Sequence, residues 1–263
     1  MKDDQMKEIT GTAPCNGYDV FYRIVKGTSG TPILCVHGAA GDSRLFAFQL
    51  KGLGSKHTVI AVDLPGHGKS GMPAVLSVEE YRDAVLAVID SLALERVVLL
   101  GHSMGGGVMF EVLQAAPRRI HGLVFISTAP ELPVNDMILD FVEKDFNTFC
   151  TMVVELTYSP EAEASLKALA VEEVRRAGKE TVKSDFTICK NYHYREQAGA
   201  VDVPVLLLGN RKDKMVPAAL MEEFGSLVKG SILKIYEAKG HLPYLENAAE
   251  VNNDIDEFLE TLK

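Results

Sequence analysis

The fold of this chain is decided by one stretch, Val97-Val98-Leu99-Leu100-Gly101-His102-Ser103-Met104-Gly105-Gly106-Gly107. Its first four residues are apolar and two of them are β-branched, which predicts a buried strand. A Gly-x-Ser-x-Gly turn follows, and residues 108–113 then have helical spacing. A serine on a sharp strand-to-helix turn, between glycines that leave room for its backbone, is typical of a nucleophile elbow. We therefore take Ser103 as the candidate nucleophile.

On both sides of this turn, short apolar runs alternate with segments of helical spacing. The predicted strands are residues 19–25, 32–36, 58–62, 97–100, 120–127, 203–209 and 231–236. The predicted helices include residues 45–53, 77–92, 218–227 and 245–262. This alternation indicates an α/β fold, a mostly parallel sheet with helices on both faces.

The alternation stops between residues 131 and 200. Helical patterns cover residues 137–156, 161–178 and 180–194, and no strand lies between them. A run of about seventy helical residues inside an alternating chain predicts an inserted helical cap over the sheet. We predict a core of residues 1–130 and 201–263 and a cap of residues 131–200. The alternative is that these helices pack on the faces of the sheet.

Charge and composition narrow the classes of function. The chain has 263 residues and a formal net charge of −9, and it lacks the basic patch that nucleic-acid binding requires. Its polar N-terminus lacks the apolar core of a signal peptide, and no apolar run is long enough to enter a membrane as a span. The four cysteines are scattered, without metal-site spacing. We expect a cytoplasmic protein that acts on a small molecule, with no metal.

One loop invites a cofactor assignment. The spacing Gly66-x-Gly68-x-x-Gly71 matches the dinucleotide-binding fingerprint. In that fingerprint the third glycine lies inside a helix packed on the strand, whereas here the next helix is predicted to begin only near Ser77. We therefore expect no nucleotide cofactor.

Two loops downstream of Ser103 carry the residues that a serine nucleophile needs. A serine hydroxyl requires a general base within hydrogen-bond reach, and that base requires a carboxylate on its other ring nitrogen. Asp213 follows the strand that ends at Gly209, and His241 follows the strand that ends near Tyr236. The carboxyl ends of parallel strands meet at one edge of a sheet, so these side chains are expected to converge on Ser103.

These motifs together resemble the α/β-hydrolase superfamily over nearly the whole chain. Five blocks agree in order: His37-Gly38-x-x-Gly41, Asp63-x-Pro65-Gly66-His67-Gly68-x-Ser70, the elbow, Gly209-x-x-x-Asp213-x-x-Val216-Pro217 and Gly240-His241. The resemblance implies eight mostly parallel strands with a helical cap after the sixth. It also implies the triad Ser103, Asp213 and His241, and an oxyanion hole formed by the backbone N–H groups of Ala39 and Met104.

Other candidate residues are assigned differently. His102, His37, Asp63 and His67 are predicted to fix loops through hydrogen bonds rather than to catalyse. A minority of the family takes its acid after the sixth strand, where Glu131 and Asp136 lie. That alternative to Asp213 stays open at this point.

The serine at the elbow narrows the chemistry. Relatives that open epoxides or remove halide carry aspartate there, so Ser103 favours acyl transfer followed by attack of water. The predicted function is hydrolysis of small, largely apolar esters. Alternatives are a C–C bond hydrolase, a thioesterase, a cofactor-free perhydrolase, or a small-molecule receptor that retains the triad. The cap is rich in apolar side chains that are expected to form part of the pocket wall: Ile138, Phe141, Phe146, Phe149, Met152, Val153, Leu156 and Phe186.

Overall fold

The computed structural model describes residues 7–28, 30–71, 77–237 and 240–262, so residues 1–6 of the N-terminal segment considered above lie outside it. Eight strands form one sheet. They are β1 (Ile9–Cys15), β2 (Tyr18–Val25), β3 (Ile33–Val36), β4 (Val59–Val62), β5 (Val97–His102), β6 (Ile120–Ile126), β7 (Val205–Asn210) and β8 (Ile232–Tyr236).

The order of the strands across the sheet is β1-β2-β4-β3-β5-β6-β7-β8. Strand β2 pairs antiparallel with β1 and with β4, and every other pairing is parallel. The α/β fold expected from the sequence, with a mostly parallel eight-stranded sheet, is confirmed. Because β3, β5, β7 and β8 run in one direction, the loops that follow them lie at the same edge of the sheet.

Helices follow most of the strands. They are α1 (Ala47–Leu53), α2 (Val78–Ser91), α3 (Met104–Ala115), α4 (Asp136–Lys144), α5 (Phe146–Thr157), α6 (Ala164–Ala177), α7 (Lys179–Asn191), α8 (Arg195–Gly199), α9 (Ala218–Leu227), α10 (Pro243–Glu246) and α11 (Ala248–Glu260). Short 3₁₀ helices cover Ser43–Phe46 and Pro117–Arg119. None of the helices in the described ranges is both long and apolar enough to cross a membrane.

The sheet separates two apolar layers. Leu99 on β5 packs in one layer with residues of α2, α3 and α9, whereas Val98 and Leu100 face the other layer, which α1 and α11 cover. Successive residues of a strand point to opposite faces, so covering both faces explains why the central strands are continuous apolar runs.

Five helices, α4 to α8, occupy the segment between β6 and β7, and we call residues 131–200 the cap segment. Phe149 and Phe186 of this segment are buried in the same apolar layer as Leu50 of α1. The assignment of these residues as an inserted cap remains a prediction. The single helix expected over residues 137–156 is instead two, because Asp145 leaves the helical conformation and its side chain accepts a hydrogen bond from Thr148 N–H.

Three other elements differ from the sequence-based expectation. Strand β1 is not among the predicted strands, and it pairs with β2 across the Asn16-Gly17 turn. The closing helix is interrupted at Asn247, which has φ −141° and ψ 43° and separates α10 from α11. Helix α8 is not among the predicted helices either, since residues 195–199 form little more than one turn.

Candidate active site

The backbone of Ser103 is held in a strained conformation between β5 and α3. Its φ of 51° and ψ of −117° lie outside the regions that non-glycine residues favour. Three hydrogen bonds maintain it: Ser103 N–H donates to the Ile126 carbonyl at 3.0 Å, and the Ser103 carbonyl accepts from Gly106 N–H at 2.9 Å and Thr128 Oγ1 at 2.7 Å. Backbone strain that several contacts maintain is concentrated at functional sites, which keeps Ser103 as the candidate nucleophile.

Glycines next to Ser103 permit this close packing. A Cβ atom on Gly105 would overlap the carbonyl oxygen of Val36 at the end of β3. A Cβ on Gly101 would lie 2.5 Å from the sulfur of Met109. The two glycines of the Gly-x-Ser-x-Gly motif are therefore required by the contact between α3 and the sheet.

His241 and Asp213 form a buried hydrogen-bonded pair. His241 Nδ1–H donates to Asp213 Oδ2 at 2.8 Å, and the two residues are 4% and 5% exposed. The other carboxylate oxygen, Asp213 Oδ1, accepts from the backbone N–H groups of Met215 and Val216 at 2.8 and 2.9 Å. The Asp213 carboxylate is thus fixed in orientation, and it holds His241 in the tautomer whose Nε2 is free to accept a proton.

The loop that carries His241 is fixed from several sides. His241 N–H donates to the carbonyl of Thr157 at 2.7 Å, at the end of α5 in the cap segment. Gly240 N–H donates to Glu246 Oε1 at 3.1 Å. On the sheet side, His102 Nε2–H donates to the His241 carbonyl at 3.0 Å. Burial, reinforced by the neighbouring His241, holds the pKa of His102 well below its ordinary value, so His102 is a neutral donor that positions the loop.

The loop after β3, which we call the His37 loop (residues 37–41), lies against Ser103. A Cβ on Gly38 would lie 3.0 Å from Ser103 Cβ. Gly41 N–H donates to the Gly38 carbonyl at 3.1 Å, and Ala40 has φ 58°, which defines a type II turn with Ala39 and Ala40 at its centre. The backbone of Ala39 therefore lies beside the candidate nucleophile.

The side chain of His37 anchors the start of this loop. His37 Nδ1–H donates to the Gly38 carbonyl at 2.8 Å, and Nε2 accepts from Leu64 N–H at 3.0 Å. Burial lowers the pKa of His37 to about 4, so the ring is neutral. Asp63 likewise accepts from the backbone N–H groups of Ser43 and Lys69, each at 2.7 Å. The side chains of His37 and Asp63 therefore fix the backbone of these loops.

A cavity of about 580 Å³ opens above Ser103, and both Ser103 and His241 line it. The other lining residues are mostly apolar, and the few charged ones are Asp42, Arg44, Glu173 and Lys214. Of the cap residues expected in the wall, five line the cavity: Ile138, Phe149, Val153, Leu156 and Phe186. The others, Phe141, Phe146 and Met152, are not part of its lining, although Phe141 packs edge-to-face on Phe149.

The alternative acidic residues lie in other contacts. Glu131 Oε1 is 3.3 Å from His193 Nδ1, and Asp136 forms an ion pair with Lys190. In the structure Asp213 is therefore the carboxylate that contacts His241. Across the described residues, no group of three or more His, Cys, Asp or Glu side chains is arranged to hold a metal ion.

Sequence analysis missed three groups that hold the site together. They are the Thr157 carbonyl and the Glu246 side chain, which anchor the His241 loop, and the Asp185 side chain, which accepts from Ala40 N–H at 2.8 Å. None of them belongs to a motif. The contact between Ala40 and Asp185 joins residues 145 positions apart, so only the folded chain reveals it.

Comparison with known proteins identifies the family. A sequence model of the alpha/beta hydrolase family matches residues 33–254. The chain belongs to the alpha/beta hydrolase family. It is 31% identical over 245 residues to a dihydrolipoyllysine-residue acetyltransferase component of an acetoin cleaving system from Pseudomonas putida, covering 89% of this chain. The chain spans 64% of the length of that relative.

Solved structures with low sequence identity share the fold. An esterase from Exiguobacterium antarcticum superposes with a TM-score of 0.89 at 20% identity, covering 96% of this chain and all of its own. An enol-lactonase from Burkholderia xenovorans gives a TM-score of 0.88 at 22% identity, covering 95% of this chain and all of its own. These likenesses, at 20% and 22% identity, show the fold.

Proposed function

We propose that the protein is a serine hydrolase that cleaves small, largely apolar esters through an acyl-enzyme on Ser103. The observation that carries the proposal is the buried His241–Asp213 pair, at 2.8 Å, whose histidine lines the same apolar cavity as the strained Ser103. A nucleophile, a base and an orienting carboxylate are the parts that acyl transfer needs, and here they follow the chain order Ser, Asp, His.

The proposed first half-reaction forms the acyl-enzyme. Ser103 Oγ attacks the substrate carbonyl carbon while its proton passes to His241 Nε2, and the imidazolium is stabilised by Asp213. The negative charge then develops on the substrate oxygen, and the backbone N–H groups of Ala39 and Met104 are proposed to bind it. Met104 is the first residue of α3, so its N–H lacks an intrahelical acceptor and lies at the positive end of the helix dipole. When the tetrahedral intermediate collapses, His241 returns the proton to the departing alcohol.

The second half-reaction releases the acid. His241 removes a proton from water, the resulting hydroxide attacks the acyl carbonyl, and the bond to Ser103 Oγ breaks as that oxygen regains a proton from His241. The same groups thus act twice, and the overall reaction consumes one water and yields an acid and an alcohol.

The apolar cavity favours neutral substrates. Each methylene buried in such a cavity contributes about 0.8 kcal/mol until the space is full. The cap segment supplies Phe149, Val153 and Phe186 to its wall, and is proposed to set the acyl preference. The solved structures named as an esterase and an enol-lactonase are in keeping with acyl chemistry, but they do not identify the substrate of this chain.

A series of p-nitrophenyl esters from acetate to laurate tests this proposal. We expect kcat/KM to rise by up to about fourfold with each of the first added methylenes, the equivalent of about 0.8 kcal/mol, and then to fall. The variant Ser103→Ala serves as the blank. If no ester is turned over in a Ser103-dependent manner, the esterase assignment is wrong, and a C–C bond hydrolase or a receptor becomes the leading alternative.

A further inference from the structure

A carboxylate of the cap segment is buried among three segments of the core. Asp185 on α7 is 0% exposed. Its Oδ2 accepts from Ala40 N–H at 2.8 Å and from His67 Nε2–H at 2.9 Å, and its Oδ1 accepts from Tyr81 Oη–H at 2.6 Å. These donors come from the His37 loop, from the loop after β4 and from α2. One side chain of the cap segment thus connects three separate parts of the core.

Asp185 and His67 form a pair whose side chains are both fully buried. Both ring nitrogens of His67 face acceptors, because Nδ1–H donates to the Pro65 carbonyl at 3.0 Å while Nε2–H donates to Asp185. Burial disfavours the charged imidazole, but the Asp185 carboxylate outweighs this and raises the pKa of His67. A fully buried charge is costly unless every partner is in place, so this arrangement demands a fixed geometry.

The hydrogen bond from Ala40 N–H lies at the residue of the His37 loop that has a positive φ. Ala40 occupies the position of the type II turn that requires a positive φ, where alanine is unfavourable. Without an acceptor, the peptide between Ala39 and Ala40 is free to flip and give alanine a negative φ, which is the type I turn. Asp185 Oδ2 removes that freedom, because the flip would point Ala40 N–H away from it.

We propose that Asp185 is a positioning residue that holds the His37 loop in the shape in which Ala39 N–H faces the reacting carbonyl. The proposal rests on the proposed function. Ala39 lies between the Gly41-to-Gly38 hydrogen bond and the Ala40-to-Asp185 hydrogen bond, so its backbone is fixed on both sides. An oxyanion donor contributes to catalysis only while it is held close to the productive geometry, and a misplacement of about 1 Å costs about 10²-fold in rate.

Three variants separate this role from simple attachment of the cap segment. Asp185→Ala removes the acceptor for Ala40 N–H. Asp185→Asn keeps it, because the amide oxygen replaces Oδ2 while the amide nitrogen donates to the oxygen of Tyr81, although the ion pair with His67 is lost. Val182→Ala is the matched control, since Val182 is fully buried on the same helix and its side chain belongs to the apolar layer that contains Phe149 and Phe186.

The kinetic result that we expect is a kcat effect. Asp185→Ala should lower kcat on the best p-nitrophenyl ester by about 10²-fold with little change in KM, because the oxyanion develops only in the transition state. The same variant should bind a boronic acid inhibitor, which forms a tetrahedral adduct with the enzyme, more weakly by a similar factor. Asp185→Asn should keep kcat close to that of the wild type, and Val182→Ala should lower Tm without affecting kcat. The proposal is overturned if Asp185→Ala loses no more kcat than Val182→Ala, or if Asp185→Asn loses as much as Asp185→Ala.

A second measurement does not depend on turnover. In ¹H–¹⁵N spectra of the wild-type protein, the Ala40 amide should exchange slowly with solvent. In Asp185→Asn, whose neutral acceptor is weaker, its proton resonance should move upfield and its exchange should quicken, with no such change in Val182→Ala. If the chemical shift and the exchange rate of the Ala40 amide are the same in Asp185→Asn as in the wild type, the proposal is overturned, even if Asp185→Ala fails to fold. If the wild type turns over no ester but Ala40 responds, the proposed function fails while the contact on which this inference depends is upheld.

Discussion

Replacing Asp213 by asparagine should abolish most of the activity while leaving the fold intact. In the structure, Asp213 Oδ1 accepts from two backbone N–H groups, those of Met215 and Val216. The amide oxygen of the introduced asparagine should therefore take that position and leave its NH₂ group against His241 Nδ1. A donor at that place forces His241 into the tautomer that is protonated on Nε2, which is unable to accept the proton of Ser103.

The size of the effect follows from the same two hydrogen bonds. Turning the amide to present its oxygen to His241 would leave both N–H groups unpaired, at about 1–3 kcal/mol each, or about 2–6 kcal/mol in total. At about 1.36 kcal/mol for each factor of ten, this cost corresponds to a fall in kcat of between about 30-fold and about 10⁴-fold. The asparagine also lacks the charge that stabilises the imidazolium, which favours the upper end of this range.

The assay compares kcat, KM and Tm of the wild type with those of three variants. We expect Asp213→Asn to retain its Tm within a few degrees, since both backbone hydrogen bonds survive, and to lose kcat as calculated. Glu131→Gln and Asp136→Asn serve as controls because their side chains contact His193 and Lys190 rather than His241. Near-normal kcat in Asp213→Asn, together with a large loss in either control, would refute the reasoning.

Two further predictions concern the elbow and the buried ion pair. Gly105→Ala should destabilise the fold by about 1–3 kcal/mol or more, because the added Cβ would overlap a carbonyl oxygen of β3. The control Gly199→Ala, which places its Cβ in open space, should leave Tm unchanged or raise it. Equal Tm values for the two variants would count against the close packing at Gly105. The second prediction concerns the pKa of His67, which is raised in the folded state. The protonated His67 ring therefore contributes fully to the free energy of unfolding below about pH 6.5, the ordinary histidine pKa, and this contribution is lost as the pH rises through the folded-state pKa. The Tm difference between the wild type and His67→Gln should therefore shrink over that range, and a difference independent of pH would contradict the ion pair with Asp185.

Much of the sheet could be predicted because its central strands are buried on both faces. Such strands are short, continuous apolar runs, and β5 and β7 are identifiable on that basis. Strand β1 gives no such signal. Most of its residues are exposed or half-buried, and Pro14 and Gly11 interrupt it, so only its pairing with β2 identifies it as a strand.

The break inside the predicted helix 137–156 shows a limit of periodicity. Apolar spacing continues through Asp145, and the sequence offers a capping residue there that is equally compatible with an exposed helical position. Whether Asp145 caps a new helix or continues the first one depends on whether α4 and α5 must change direction to cover the cavity. That requirement comes from tertiary packing, which the periodicity of the sequence does not record.

Some residues of the candidate site could be predicted from the sequence, and others could not. Ser103, Asp213 and His241 each follow a strand whose end could be predicted, so the sequence indicates where they converge. Asp185 could not be identified in advance, since an acidic residue in an amphipathic helix is normally a solvated one. Its burial depends on Ala40, His67 and Tyr81, which lie between 104 and 145 residues away along the chain.

The central claim is that Ser103 is a nucleophile activated by His241. It is tested most directly by treating the protein with a fluorophosphonate and locating the adduct by mass spectrometry of the intact chain and its peptides. The account predicts one adduct per chain, on Ser103, formed by the wild type, absent in Ser103→Ala and formed much more slowly in His241→Ala. Labelling that persists in Ser103→Ala, or a wild-type protein that stays unlabelled while correctly folded, would contradict it.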